Sequence, residues 1–425
     1  MSFDWQTEET IQWDEEAEET PPPKSQPSKP RRRWPWLILI LVIFLSGGMG
    51  GVYWSLTQRV EELSEDVGDD LIASYAVIED AANAQDPELF ATFLSGKDAE
   101  WALAWEQLVS EGDYQNRQLF GLDWQPVEPV TAVISHTINP QFNAAEIVTE
   151  HDYSYSIGNG YTETVQLRHT VVYRLGPDRW LLAPPEDEFW GPTIAKDGYY
   201  VSLTFPERDQ EIARRLALEF NSKTAELCVQ STFECPEGFH WQVEFLTDPA
   251  LLSSQADAVA YVDGEWRLRL PTPTLVGLPQ DEAGFQAMAR GYTVQLINPM
   301  MQKLSGIADW SEGAFSQAWL DWYLERLALR PYPLLPSNRQ TLAEQGTTLQ
   351  SGAQFWNSGE DATALTYAII QFLIEELKIS PKHIIQIPGD GQIPFYEDWL
   401  IEVSDGRYTP EELEQQWQTY LTNPP

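Results

Sequence analysis

Residues 161–175 read YTETVQLRHTVVYRL, and the fold turns on this stretch. Val165, Leu167, His169, Val171, Tyr173 and Leu175 alternate with Gln166, Arg168, Thr170 and Arg174. A period of two sends successive side chains to opposite faces, so the stretch predicts a strand with one buried and one wetted face. Gly158-Asn159-Gly160 stands just before it and suits a tight hairpin turn. Residues 144–157, on the other side of that turn, predict the antiparallel partner, and 130–139 and 178–183 predict two more strands. Across such a hairpin His151 and His169 can meet. Two readings of that pair stand, ordinary sheet residues or catalysts.

Upstream the period lengthens. Leu71, Ile72, Tyr75, Ile78, Ala82 and Leu89 recur at three- and four-residue spacing, as on one face of a helix. Asp86-Pro87 predicts a restart, with Asp at the cap and Pro in the first turn. Asp98 opens another amphipathic helix through Trp101, Trp105 and Leu108. Helices followed by a long meander, with Asn83-Ala84-Gln85-Asp86-Pro87-Glu88-Leu89-Phe90 at the opening, resemble the cone-shaped α+β fold of SnoaL-like or nuclear-transport-factor-like domains. The resemblance covers residues 67–188. It implies either an apolar pocket or an interaction module, and fold alone does not choose between them.

Pro184, Pro185, the acidic run Glu186-Asp187-Glu188 and Gly191-Pro192 read as a linker. A second unit then spans 195–425. Its expected elements are a strand Tyr199–Phe205, a helix over 207–226, a strand Trp241–Leu246, and a hairpin of Val259–Val262 with Trp266–Leu270 turning at Asp263-Gly264. Beyond Pro279 the pattern is helical, over 281–304, 312–329, 338–346, 361–377 and 409–421.

Three passages of this unit carry a second resemblance: Ala362-Thr363-Ala364-Leu365-Thr366-Tyr367-Ala368 with Phe372-Leu373-Ile374-Glu375, then Glu411–Trp417 with Tyr420-Leu421, and the opening Leu203–Leu216 with Cys228–Leu251. Together they resemble the bacterial peptidase MA-like, gluzincin-like metallopeptidases. That family holds zinc with two histidines four apart on one helix face, beside a glutamate base, and with a later third ligand. The best match here is Arg290-Gly291-Tyr292-Thr293-Val294. Arg290 and Val294 stand where the ligands would be, and Gly291 where the base would be. A guanidinium and an isopropyl group are not zinc donors, and glycine has no proton acceptor. Glu312, in Trp310-Ser311-Glu312-Gly313, matches the third ligand; an alternative register places Trp319-Leu320-Asp321-Trp322 there. One carboxylate does not make a metal site, and Arg290 is expected to pair with Glu312. The five histidines, His136, His151, His169, His240 and His383, offer no local pair on one helix face. No Gly-x-Ser-x-Gly elbow or phosphate-cradling loop occurs, so neither a metal nor a cofactor is expected.

The N-terminal region has its own pattern. Residues 1–33 hold an acidic run, a Pro21-Pro22-Pro23 break and no apolar periodicity, and predict a disordered tail. Trp34–Leu56 is uncharged and follows Lys29, Arg31, Arg32 and Arg33; as a helix it would reach about 34 Å. It predicts a single transmembrane anchor with the tail cytoplasmic and the remainder outside the cell membrane. The chain has 65 acidic against 26 basic residues, a net charge of −39. Such a surface repels phosphate backbones and excludes nucleic acid as a partner. Cys228 and Cys235, seven apart, suit a local disulfide in an oxidising compartment; two free buried thiols are the alternative.

These readings converge on an α+β protein: a transmembrane helix, a cone-shaped domain with an antiparallel sheet, then a mainly helical peptidase-like domain with a small sheet. The expected function is an inactive metallopeptidase relative that binds or scaffolds at the bacterial cell surface, with a peptide or envelope protein as partner. The alternative is a hydrolase with a non-zinc or dispersed site.

Overall fold

Three helices lead into the first sheet: α1 over residues 65–83, α2 at Pro87–Ala91 and α3 at Ala99–Glu111. The two aspartates act as caps. Asp86 accepts from the Leu89 N–H at 2.9 Å, and Asp98 accepts from Glu100 and Trp101 at 3.0 Å. Each such cap contributes about 1 kcal/mol to its helix. Leu71, Ile78, Phe90 and Leu108 are fully buried beneath them. The computed structural model describes residues 65–122, 132–158, 161–230, 235–254, 256, 258–262, 265–305, 314–329, 335–354, 360–389 and 396–422.

The first sheet contains β1 (Ala132–Ile138), β2 (Ala144–Gly158), β3 (Tyr161–Leu175) and β4 (Trp180–Leu182). β2 and β3 form one long antiparallel ribbon, in which Thr149 faces His169 and His151 faces Leu167. The Asn159-Gly160 part of the expected turn lies outside the described residues. On β3 the inward set Val165, Leu167 and Tyr173 is buried, whereas Leu175 is 50 % exposed. Alternation ends there because β4 pairs with Tyr173–Leu175 and the chain turns back.

After a short helix α4 (Asp187–Trp190) comes the second sheet, in the order β5-β6-β7-β9-β8. Its strands are β5 (Thr193–Lys196), β6 (Val201–Pro206), β7 (Trp241–Leu246), β8 (Val259–Val262) and β9 (Glu265–Pro271). β6, β7 and β9 run parallel, flanked by antiparallel β5 and β8. Parallel neighbours need a crossover, and α5 (Gln210–Gln230) supplies it between β6 and β7. Cys228 at its end and Cys235 form a disulfide, with Cα atoms 5.3 Å apart. Asp263-Gly264, the expected turn between β8 and β9, lies outside the described residues.

The chain then makes α6 (Pro273–Val276) and the two-residue strand β10 (Leu278–Pro279). β10 does not join the second sheet. It returns to the first, pairing with Leu167 and Arg168 on the edge of β3 that β4 also uses. Helices follow: α7 (Glu282–Ser305), α8 (Ala314–Arg326), α9 (Leu335–Glu344), α10 (Glu360–Gln371) running into a π-turn at Phe372–Glu376, α11 (Pro381–Gly389), α12 (Tyr396–Val403) and α13 (Pro410–Thr422). Trp417 is fully buried, with its indole N–H on the Thr347 carbonyl at 3.0 Å.

The expected fold class needs correction. Among the described residues no helix is long and apolar enough to cross a membrane. The longest, α7, has Glu282, Arg290 and Lys303 along it and Pro299 inside. The expected anchor Trp34–Leu56 and the tail before it lie outside the described residues. The architecture is α+β, yet its second sheet is five-stranded and mixed rather than a small appendage.

Candidate functional site

A segment that precedes the first sheet closes over α7 at Arg290–Val294. Residues 116–122 include a 3₁₀ turn at Gln118–Phe120, followed by Gly121 with φ +77°. Gln295 on α7 donates to the Leu119 carbonyl at 3.0 Å, and the Phe120 ring lies 4.9 Å from that of Tyr292. Tyr292 is fully buried and donates to the Pro271 carbonyl at 2.7 Å.

The motif positions are brought together here. Arg290, Gly291 and Val294 line one shallow cleft of about 260 Å³ with Asn116, Gln118 and Tyr155. At Gly291 a β-carbon would overlap the carbonyl group of Phe120, so only glycine fits. The Arg290 guanidinium lies 5.3 Å from the Tyr155 ring centroid, on the first sheet. Glu312 and Trp310 lie outside the described residues, as does the expected Arg290–Glu312 pairing. In the alternative register, Asp321 is buried on α8 and accepts from Gln317 at 3.0 Å. Among the described residues no group of three His, Cys, Asp or Glu side chains is placed to hold a metal.

The second cluster lies inside the first sheet. His151 and His169 do meet, edge to face, with centroids 4.7 Å apart. Thr149 Oγ1 is 3.1 Å from His151 Nε2, and Tyr153 Oη is 3.2 Å from His169 Nε2. Burial, then the nearby Arg117 charge, holds the His151 imidazole down at about 4. Burial and His151 itself, followed by Arg117, push His169 well below its ordinary range. Both rings are therefore neutral at pH 7.

Facing them from α1 is Glu79, which is 7 % exposed. Tyr114 donates to Glu79 Oε1 at 2.9 Å and Gln115 donates to Oε2. Burial dominates over those bonds and raises the carboxyl to about 7. These groups line a cavity of about 70 Å³ whose remaining wall includes Trp101, Trp105, Val171, Leu182 and Leu275. Trp190 and Thr247 line both this cavity and a wider outer cleft of about 640 Å³.

Arg117 and Glu79 had no sequence signal of a site. Nothing in their spacing marks them, because the elements that surround them come from β2, β3 and α6. A buried Asp209 positions that last wall: it accepts from the Thr272 and Thr274 hydroxyls and, at 3.1 Å, from the Thr274 N–H. No family model and no curated protein matches the chain.

Proposed function

We propose that this is a binding or scaffolding protein of an oxidising compartment, in which the peptidase-like half does not hydrolyse peptides. The observation that carries the reading is the packing of Phe120 against Gly291. Where a metallopeptidase needs an open groove with a carboxylate base, this chain has a backbone carbonyl from its own first sheet region. Arg290 supports the same reading, since its charge lies over Tyr155 and would oppose a dication. The Cys228–Cys235 disulfide supports an extracytoplasmic setting. The proposed partner is a peptide or an envelope protein.

The test is metal analysis of the full chain after dialysis, beside a peptide-library digest. Absence of stoichiometric zinc and of chelator-sensitive cleavage is expected; either one's presence overturns the reading. Crosslinking and pull-down from intact cells then identifies the partner.

A second reading is a hydrolase with a non-zinc site at the His151–His169 cavity. The observation that favours it is a carboxyl raised to about 7 in the same cavity as two neutral imidazoles. Such a group can both take and give a proton near neutral pH. An ester or amide turnover lost in both Glu79→Gln and His169→Asn would favour this reading over the first.

A further inference from the structure

We propose that the cavity beside His151 and His169 binds a small carboxylate with a short aliphatic tail, anchored on the guanidinium of Arg117. This inference is independent of how α7 is read, and either can fail alone.

Arg117 is 3 % exposed and lines the cavity. Its Nε donates to the Val276 carbonyl at 2.7 Å, and its Nη1 to those of Asn116 and Tyr114 at 2.7 and 3.3 Å. Nη2 has no partner among the described residues, and the side chain makes no ion pair there. A buried cation held only by neutral carbonyls lacks a counter-charge, a costly arrangement unless something supplies one. Guanidinium matches planar carboxylates better than other anions of similar size, through parallel N–H···O bonds.

The neighbouring groups point the same way. Each neutral imidazole has one N–H donor and one acceptor nitrogen, with Nε2 already beside a hydroxyl, and the buried Trp105 Nε1 has no acceptor. The one carboxyl on the wall, Glu79, has both oxygens engaged by Tyr114 and Gln115. The Arg117 Nη2 and the Trp105 indole N–H are thus donors left over, and an acceptor-rich guest balances them. Size limits it: about 70 Å³ is roughly the share of two waters. Val171, Leu182 and Leu275 offer apolar contact to a methyl or ethyl group, which a phosphate or sulfate would leave unused. An acetate-sized ion meets all three conditions.

The experiment uses the full chain at pH 6 and constant ionic strength, titrated with sodium acetate and, in parallel, with acetamide. Tryptophan fluorescence, thermal melting and the guanidinium ¹⁵N resonances of arginine-labelled protein are read together. Acetate is expected to saturate, to raise the melting temperature and to shift one guanidinium signal with the same midpoint. Acetamide, with the same shape but no charge, should bind at least tenfold more weakly. In Arg117→Gln, with its fold checked by circular dichroism, acetate affinity should fall at least tenfold. Should that variant fail to fold, the guanidinium shift of the wild-type chain decides. A lack of saturation by acetate, an equal response to acetamide, or saturation without any guanidinium shift overturns the proposal and leaves the cavity to water or neutral guests.

Discussion

Gly291 on α7 meets the carbonyl group of Phe120 so closely that no β-carbon can be placed between them. The two residues are far apart in sequence, and their contact ties the segment before the first sheet to the helix that carries Arg290 and Val294. The Phe120 and Tyr292 rings pack beside it at a tilt, so the approach is backbone to backbone with aromatic support. Gly121 completes it, since a β-carbon there would sit 3.1 Å from the Ala287 carbonyl.

This contact reverses an ordinary expectation. Replacing a glycine inside a helix by alanine usually stabilises by about 0.5–1 kcal/mol. Gly291→Ala should instead destabilise by about 1–3 kcal/mol or more, the range for overpacking a filled interior. Urea denaturation measures it. A Gly291→Ala protein as stable as the wild type would show that the segment over α7 yields without cost.

Glu79 and His151 should make opposite contributions to pH dependence. The Glu79 carboxyl moves from 4.5 to about 7 on folding, so between those values the folded chain keeps a proton that the unfolded chain has lost. Stability from this residue thus falls as pH rises across that window. His151 moves from 6.5 to about 4, so its contribution is lost as pH falls from 6.5 to 4. Glu79→Gln removes only the first effect. Relative to wild type it should gain stability from pH 4.5 to 7, by up to roughly 3 kcal/mol, with little difference below that window. Parallel denaturation curves at four pH values check the slope.

Reduction of Cys228–Cys235 should cost about 2–3 kcal/mol in the chain-entropy account of a loop this short. Comparison of the double serine variant with the wild type, with and without reductant, isolates the effect. The reductant should leave the variant unchanged.

Asp209→Ala should be among the more damaging single changes. It strands two buried threonine hydroxyls and the Thr274 N–H, each costing about 1–3 kcal/mol when left unmade. Because Thr274 and Leu275 form part of the cavity wall, the same variant should also alter tryptophan fluorescence from Trp101 and Trp105. Asp209→Asn, which keeps one acceptor, should be milder.

How much of this was legible in the sequence depends on range. The β2–β3 ribbon could be read from alternation alone, and with it the meeting of His151 and His169, because register follows from the turn. The capping aspartates Asp86 and Asp98 were equally plain, their effect being local. Short elements were not. β5, α6, β10 and the 3₁₀ turn at Gln118–Phe120 are too brief to show a period and take their shape from what they pack on. Helices α11 and α12, nine and eight residues long, are likewise too short for a period to stand out. Gly291 could be seen as the loss of a base, but its cause was invisible, since the crowding atom belongs to Phe120. Arg117 was hidden for a similar reason: its partners are carbonyls, which leave no trace in side-chain pattern.

β10 has a practical consequence for anyone cutting this chain. Leu278 and Pro279 cover the outer edge of β3 at Arg168 and Leu167. An uncovered strand edge is a template for pairing with another copy, and a proline blocks extension because it has no N–H to offer. A fragment ended at residue 188, where the proline-rich passage invites a cut, would leave that stretch of edge bare. It should self-associate at concentrations where the longer chain stays dispersed. The useful breakpoint lies beyond Pro279.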